Sequence, residues 1–262
     1  MIIIKKKSVL SLIGALAICL CGCQDISDRA IDPSLGVNGD DSSGVGGELL
    51  ASVSSEEGAE NIDSYISGQD FSPTQQEFIR SCFFMGDSIC YGLDSYGLVD
   101  NCCAKAGVAA RNIEEYTFTS GDSEVSPLTA LVNSGSKNLV FLMGTNDVNI
   151  ETSDQYIAFY DSFLKKAEAM CPDASIYVLS ITPVTEGSDF CYNYTIDEYN
   201  LKLKNMVSES GAASRHYVDV TQGLRDERGA LKESYALSDG VHLTKSAYYE
   251  LLAAFCKGVG VT

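Results

Sequence analysis

From about residue 72 onward, short apolar runs alternate with longer stretches that repeat every three or four residues, and this alternation restricts the fold most sharply. Five runs, "CFFMG", "NCCAKAG", "KNLVFLMG", "SIYVLSI" and "RHYVDV", are bounded by turn-forming residues, as buried strands are. Helical spacing is clearest from Ser153, where Tyr156, Ile157, Tyr160, Phe163, Leu164, Ala167 and Met170 recur at steps of three and four. That stretch must stop at Cys171-Pro172, because proline offers no N–H and clashes with the preceding turn. Residues 196–209 and 245–257 give two further predicted helices. Strands alternating with helices imply an α/β fold, a parallel sheet covered on both faces.

In such sheets chemistry gathers beyond the carboxyl ends of the strands, where helix N-termini also point. The residues there are Gly86-Asp87-Ser88 after the first run, Gly107 after the second and Gly144-Thr145-Asn146-Asp147 after the third. The loop before the last helix ends in Asp239-Gly240-Val241-His242. The tripeptide Gly-Asp-Ser occurs twice, but Ser123 in "FTSGDSEVSP" follows no apolar run, and that segment is predicted to be a loop. Ser88 follows a strand and opens a helix, so it is the candidate nucleophile.

A serine nucleophile needs a base, most naturally histidine at neutral pH. The chain has two. His216 starts the strand "RHYVDV", on the edge away from Ser88, and is expected to be structural. His242 precedes the final helix, which can carry it over the correct edge, and Asp239 lies close enough to fix its tautomer. Thr244 is expected to cap that helix. The backbone N–H groups of Ser88 and Gly107 and the side-chain amide of Asn146 would suit a developing oxyanion, each worth roughly 3–4 kcal/mol in the transition state. Gly-Thr-Asn-Asp is also good turn chemistry, so the conjunction matters more than any member.

That conjunction resembles the SGNH hydrolases, also called the GDSL esterase and lipase family, over residues 78–257. The family's four named residues correspond to Ser88, Gly107, Asn146 and His242, with Asp239 in the D-x-x-H position. Ile89 stands where the motif has leucine, and the block around Gly107 is the weakest part of the likeness. The resemblance implies a flavodoxin-like three-layer α/β/α sandwich with a five-stranded parallel sheet. It also implies a serine esterase mechanism with no metal and no cofactor. Cys90 replaces the last glycine of G-x-S-x-G, and the nucleophile follows the first strand, which speaks against the α/β-hydrolase fold.

Ahead of this domain, Lys5-Lys6-Lys7 and an apolar run too short to span a bilayer resemble a signal peptide. The run ends in Leu20-Cys21-Gly22-Cys23, which resembles a lipoprotein lipobox with Cys23 as the lipidated residue. The expected organisation is a signal peptide over 1–22, a lipidated Cys23 with an acidic Gly/Ser-rich tether to residue 72, and an SGNH domain over 73–262. A flexible tether of this length would span roughly 35–40 Å. The expected location is extracytoplasmic, held to a membrane by the lipid.

The formal net charge of −18 makes nucleic acid an improbable partner. It equally disfavours polyanionic wall polymers, and neutral glycans or small esters fit better. Of ten cysteines, Cys82, Cys90, Cys102, Cys103, Cys171, Cys191 and Cys256 fall in the domain. Their odd number and lack of C-x-x-C suggest core fillers more than a disulfide framework or a zinc site.

The function expected is hydrolysis of short acyl esters, acetyl first, on a carbohydrate or cell-envelope substrate. The alternatives are an O-acyltransferase acting on a glycan and a surface lipoprotein that binds glycans without turnover. A nucleotide or flavin binder is disfavoured because neither G-x-G-x-x-G nor a P-loop is present. Substrate choice would lie in the loops 118–127 and 182–195, where Tyr192 and Tyr194 could stack on a sugar ring. Nothing in the sequence speaks to the oligomeric state.

Overall fold

The computed structural model describes residues 71–262. The predicted signal peptide, the lipidated Cys23 and nearly all of the predicted tether lie outside the described residues.

Five strands form the main sheet: β1 (Cys82–Gly86), β2 (Cys102–Ala104), β5 (Asn138–Leu142), β6 (Ser175–Leu179) and β7 (Arg215–Val218). All pairs are parallel and the spatial order is β2-β1-β5-β6-β7, the doubly wound flavodoxin-like arrangement. The helices are α1 (Pro73–Ser81), α2 (Ser88–Ser95), α3 (Pro127–Ser134), α4 (Ser153–Met170), α5 (Asn193–Glu209) and α6 (Lys245–Gly258).

Every residue of β1 is buried, because alternate side chains enter two separate cores. Phe83 and Met85 join Leu139, Phe141, Ile176 and Val178 on one face, beneath α3, α4 and α5. Cys82 and Phe84 join Val140, Leu142, Leu179 and Val218 on the other, beneath α1, α2 and α6. The helical repeat read from Ser153 falls on the first core, with Tyr156, Tyr160, Phe163, Leu164 and Ala167 buried. Each fully buried large side chain contributes about 1.5–3 kcal/mol, and among the described residues every cysteine is free. Cys82, Cys90, Cys103 and Cys256 are buried free thiols within these cores.

The strand registers place Gly86 opposite both Ala104 and Leu142. The carboxyl ends of β2, β1 and β5 therefore finish level, and the loops carrying Gly107, Ser88 and Asn146 leave the sheet side by side.

Residues 118–127 depart from the sequence reading. Instead of a loop, they hold an antiparallel hairpin of β3 (Phe118–Ser120) and β4 (Ser123–Val125), with Ser123 paired to Ser120. Gly121 at φ +61° supplies the left-handed residue that a two-residue hairpin turn requires. The strands are too short and polar to show a period-two pattern. Helices α1 and α3 also went unread, although each opens on a Ser-Pro pair: Ser72 and Ser126 cap, and Pro73 and Pro127 take the first helical position.

Candidate active site

The first strand ends at Gly86 because nothing larger fits: a Cβ there would lie 1.8 Å from the carbonyl oxygen of Leu142. The chain then turns through Asp87, the N-cap of α2, into Ser88. Asp87 is buried and accepts hydrogen bonds from the N–H groups of Ile89 (2.9 Å), Gly144 (3.1 Å) and Thr145 (3.2 Å). Its carboxylate thus caps the helix of Ser88 and grips the loop after β5. Burial pushes its carboxyl up to about 6, against the downward pull of those N–H donors. Ser88 itself is half-buried. As the first residue of α2 it has an N–H that no helical carbonyl can accept.

His242 reaches this edge from the segment before α6. That segment is pinned by an isolated bridge between Ala236 and Leu243 and by bonds from Leu237 N–H to His242 O (2.7 Å) and from Thr244 N–H to Tyr235 O (2.9 Å). His242 Nε2 lies 2.9 Å from Ser88 Oγ, and its Nδ1 lies 2.6 Å from Asp239 Oδ2. The other Asp239 oxygen accepts the N–H groups of Val241 and His242, both at 2.9 Å. One oxygen therefore holds the loop and the other holds the imidazole. With Nδ1–H donated to the carboxylate, Nε2 is free to accept the serine proton. Burial alone would raise the Asp239 carboxyl, but the bonds from His242 and the two N–H groups carry it below its ordinary value. His242 and Asp239 side chains remain 40% and 49% exposed, so the relay is open to water.

Gly107 sits after β2 at φ +82°, where a Cβ would also meet the Tyr116 hydroxyl at 2.8 Å; only glycine suits the position. Its N–H has no acceptor among the described residues. Asn146 donates from Nδ2 to Val108 O at 2.9 Å, joining the loop after β5 to the loop that holds Gly107. Asp147 strengthens the join, accepting from Ala110 N–H at 2.9 Å and Arg111 N–H at 3.4 Å. Arg111 Nη1 donates to Asn146 O at 2.6 Å and to Asp147 Oδ1 at 3.3 Å. Burial raises the Asp147 carboxyl, and these N–H donors and the guanidinium oppose the shift.

The structure thus joins Ser88, His242 and Asp239 in one chain of hydrogen bonds and ties Gly107 and Asn146 to neighbouring loops of the same edge. His216 is apart from them, exposed on β7 with its ring stacked on Tyr177 at 5.3 Å. Thr244 is a correction: it holds the N-cap position of α6 without a side-chain cap, because its hydroxyl turns to Ser234 O at 3.4 Å. Arg111 went unnoticed in the sequence. Its one visible signal is a lone charge in the loop "AGVAARNI". Among the described residues, no three His, Cys, Asp or Glu side chains converge to hold a metal ion.

Residues 84–249 match the model of the GDSL-like Lipase/Acylhydrolase family. No curated protein matches the sequence. A candidate platelet activating factor from Streptococcus pneumonia superposes with a TM-score of 0.54 at 20% identity, over 79% of this chain and 99% of that one. A mutant acetyl esterase with acetate ion gives 0.50 at 18% identity, over 68% and 95%. A carbohydrate esterase family 3 protein from Talaromyces cellulolyticus gives 0.50 at 19%, also over 68% and 95%. At these identities the likeness to the solved structures is one of fold. The family match spans most of the chain and takes in the segments that bear Ser88, Asn146 and His242, and the protein belongs to the GDSL-like lipase/acylhydrolase family.

Proposed function

We propose that the protein is a serine esterase that removes short acyl groups, acetyl first, from carbohydrate or cell-envelope esters. The observation that carries this reading is the unbroken relay from Asp239 through His242 to Ser88, at 2.6 and 2.9 Å. Ser88 Oγ attacks the ester carbonyl as its proton passes to His242 Nε2, and Asp239 steadies the imidazolium. The N–H groups of Ser88 and Gly107 and the Asn146 amide receive the oxyanion. Collapse expels the alcohol, which takes the proton from His242. Water, deprotonated by His242, then attacks the acyl-serine, and the imidazolium returns that proton to Ser88 Oγ as the acid leaves. The half-exposed relay favours water over a sugar hydroxyl as the acyl acceptor. Likeness of fold to proteins named as an acetyl esterase and a carbohydrate esterase supports a small acyl group on a sugar.

Turnover of p-nitrophenyl acetate by the wild type and by Ser88→Ala tests this. The substitution should lower kcat by roughly 10⁴-fold or more and abolish labelling by a fluorophosphonate probe, with the melting temperature little changed. Equal turnover by both proteins would remove Ser88 from the chemistry.

A further inference from the structure

Two tyrosines at the start of α5 are exposed and stacked on one another. Tyr192 and Tyr194 are 68% and 70% exposed, and their rings stack with centroids 5.2 Å apart and planes 11° from parallel. Tyr192 takes the N-cap position of α5 but makes no side-chain cap bond, where Ser, Thr, Asp or Asn would satisfy a helix N–H. Neither burial nor capping accounts for the pair.

Their backbone is nevertheless firmly held. Asn193, between them, exchanges two hydrogen bonds with the main chain of Val184, at 3.0 and 2.8 Å. Two residues before Tyr192, the carbonyl of Phe190 accepts from the side-chain amide of Asn149, in the loop that carries Asn146. Thr185 N–H in turn bonds Gly240 O at 2.9 Å, next to Asp239. A surface fixed in this way loses little freedom when a ligand settles on it.

Phe190 also lines a groove of about 590 Å³, together with Thr185, Ser188, Asp189, Leu237 and Asp239. Asp239 is at once a wall of this groove and the end of the relay to Ser88. Flat aromatic faces two and four residues along the chain from Phe190, in the wall of a groove lined by hydroxyls and carboxylates, suit a ring with an apolar C–H face and a polar rim. A long acyl chain would desolvate the groove's hydroxyls and carboxylates without replacing their hydrogen bonds. An anion would meet Asp189, Glu233 and Asp239.

We propose that Tyr192 and Tyr194 form a sugar-binding platform. A neutral oligosaccharide lays the C–H face of one pyranose ring on it, and the neighbouring hydroxyls bond the groove, so that an acylated sugar is presented to Ser88. The presentation step rests on the esterase reading, whereas the binding does not.

Full-length protein is compared with the double variants Tyr192→Ala/Tyr194→Ala and Tyr192→Phe/Tyr194→Phe. On acetylated xylo-oligosaccharides the alanine variant should show KM raised about tenfold, equivalent to about 1.4 kcal/mol, with kcat unchanged. The phenylalanine variant should behave as the wild type, and all three should turn over p-nitrophenyl acetate equally. Calorimetric titration with unesterified xylo- and manno-oligosaccharides reads the platform separately and should show the same weakening. Unchanged KM and affinity in the alanine variant, equal losses on both esters, or no binding of either oligosaccharide would overturn the platform. Intact sugar binding without turnover of any ester would instead overturn the esterase reading.

Discussion

Asp87 and Asp239 are chemically identical side chains flanking one serine–histidine pair, and their surroundings drive them in opposite directions. Asp87 is sealed in the sheet edge with its carboxyl pushed up to about 6, whereas Asp239 is half-exposed and held below its ordinary value. Asp239 is therefore ionised throughout the neutral range, as the proposed relay requires. Asp87 is a positioning residue, and its charge has a cost. A carboxyl whose pKa is higher folded than unfolded binds more protons in the folded state between the two values. Its contribution to stability is thus present below about pH 4 and declines as the pH rises to about 6. Asp87→Asn keeps one acceptor oxygen but sets an amide against N–H donors, so the variant should lose roughly 1–3 kcal/mol together with the alignment of Ser88. The stability gap between wild type and variant should narrow by about 3 kcal/mol at most between pH 4 and pH 6, measured by denaturant titration at each pH. A gap that widened with pH would show that the N–H donors outweigh burial and hold the carboxyl below its ordinary value.

At the scale of elements, the site depends on two loops held together after β2 and β5. The buried Asp147 carboxylate spans them, and Arg111, 21% exposed, supplies both its counter-charge and a bond to Asn146 O. Arg111→Ala should lower kcat on p-nitrophenyl acetate about tenfold by loosening Asn146, while KM stays within about twofold. The melting temperature should also fall, because Asp147 is left buried with its charge less compensated. A change in KM with kcat intact would place Arg111 in substrate binding instead. The partners in this clasp were hidden in the sequence, as were the donors to Asp87, because both carboxylates join residues that only the sheet order brings together. Asp147 lies 36 positions from Arg111, and Asp87 lies 57 from Gly144. Ser88, His242 and Asp239 were legible for the opposite reason. Ser88 belongs to one short motif and Asp239 and His242 to another, and the alternation of strands and helices assigns both motifs to one edge. The hairpin of β3 and β4 lay between these cases: its Gly121-Asp122 turn was readable, but three-residue polar strands give no pattern.

For the whole molecule, the relevant quantity is the field around the site. The chain has a formal net charge of −18, and three of its carboxylates, Asp189, Glu233 and Asp239, line the groove beside the relay. A cleft lined by one sign of charge concentrates or repels charged substrates before any contact forms. Salt weakens this influence, since the Debye length shortens from about 30 Å at 0.01 M to about 10 Å at 0.1 M. A neutral substrate should not feel the change. The value of kcat/KM for p-nitrophenyl acetate should therefore stay level across that range, whereas that for an anionic ester, such as an acetylated uronic-acid oligosaccharide, should rise several-fold. Parallel slopes for the two substrates would mean that the acidic surface does not reach the reacting centre, and that its charge keeps the protein soluble without selecting what approaches Ser88.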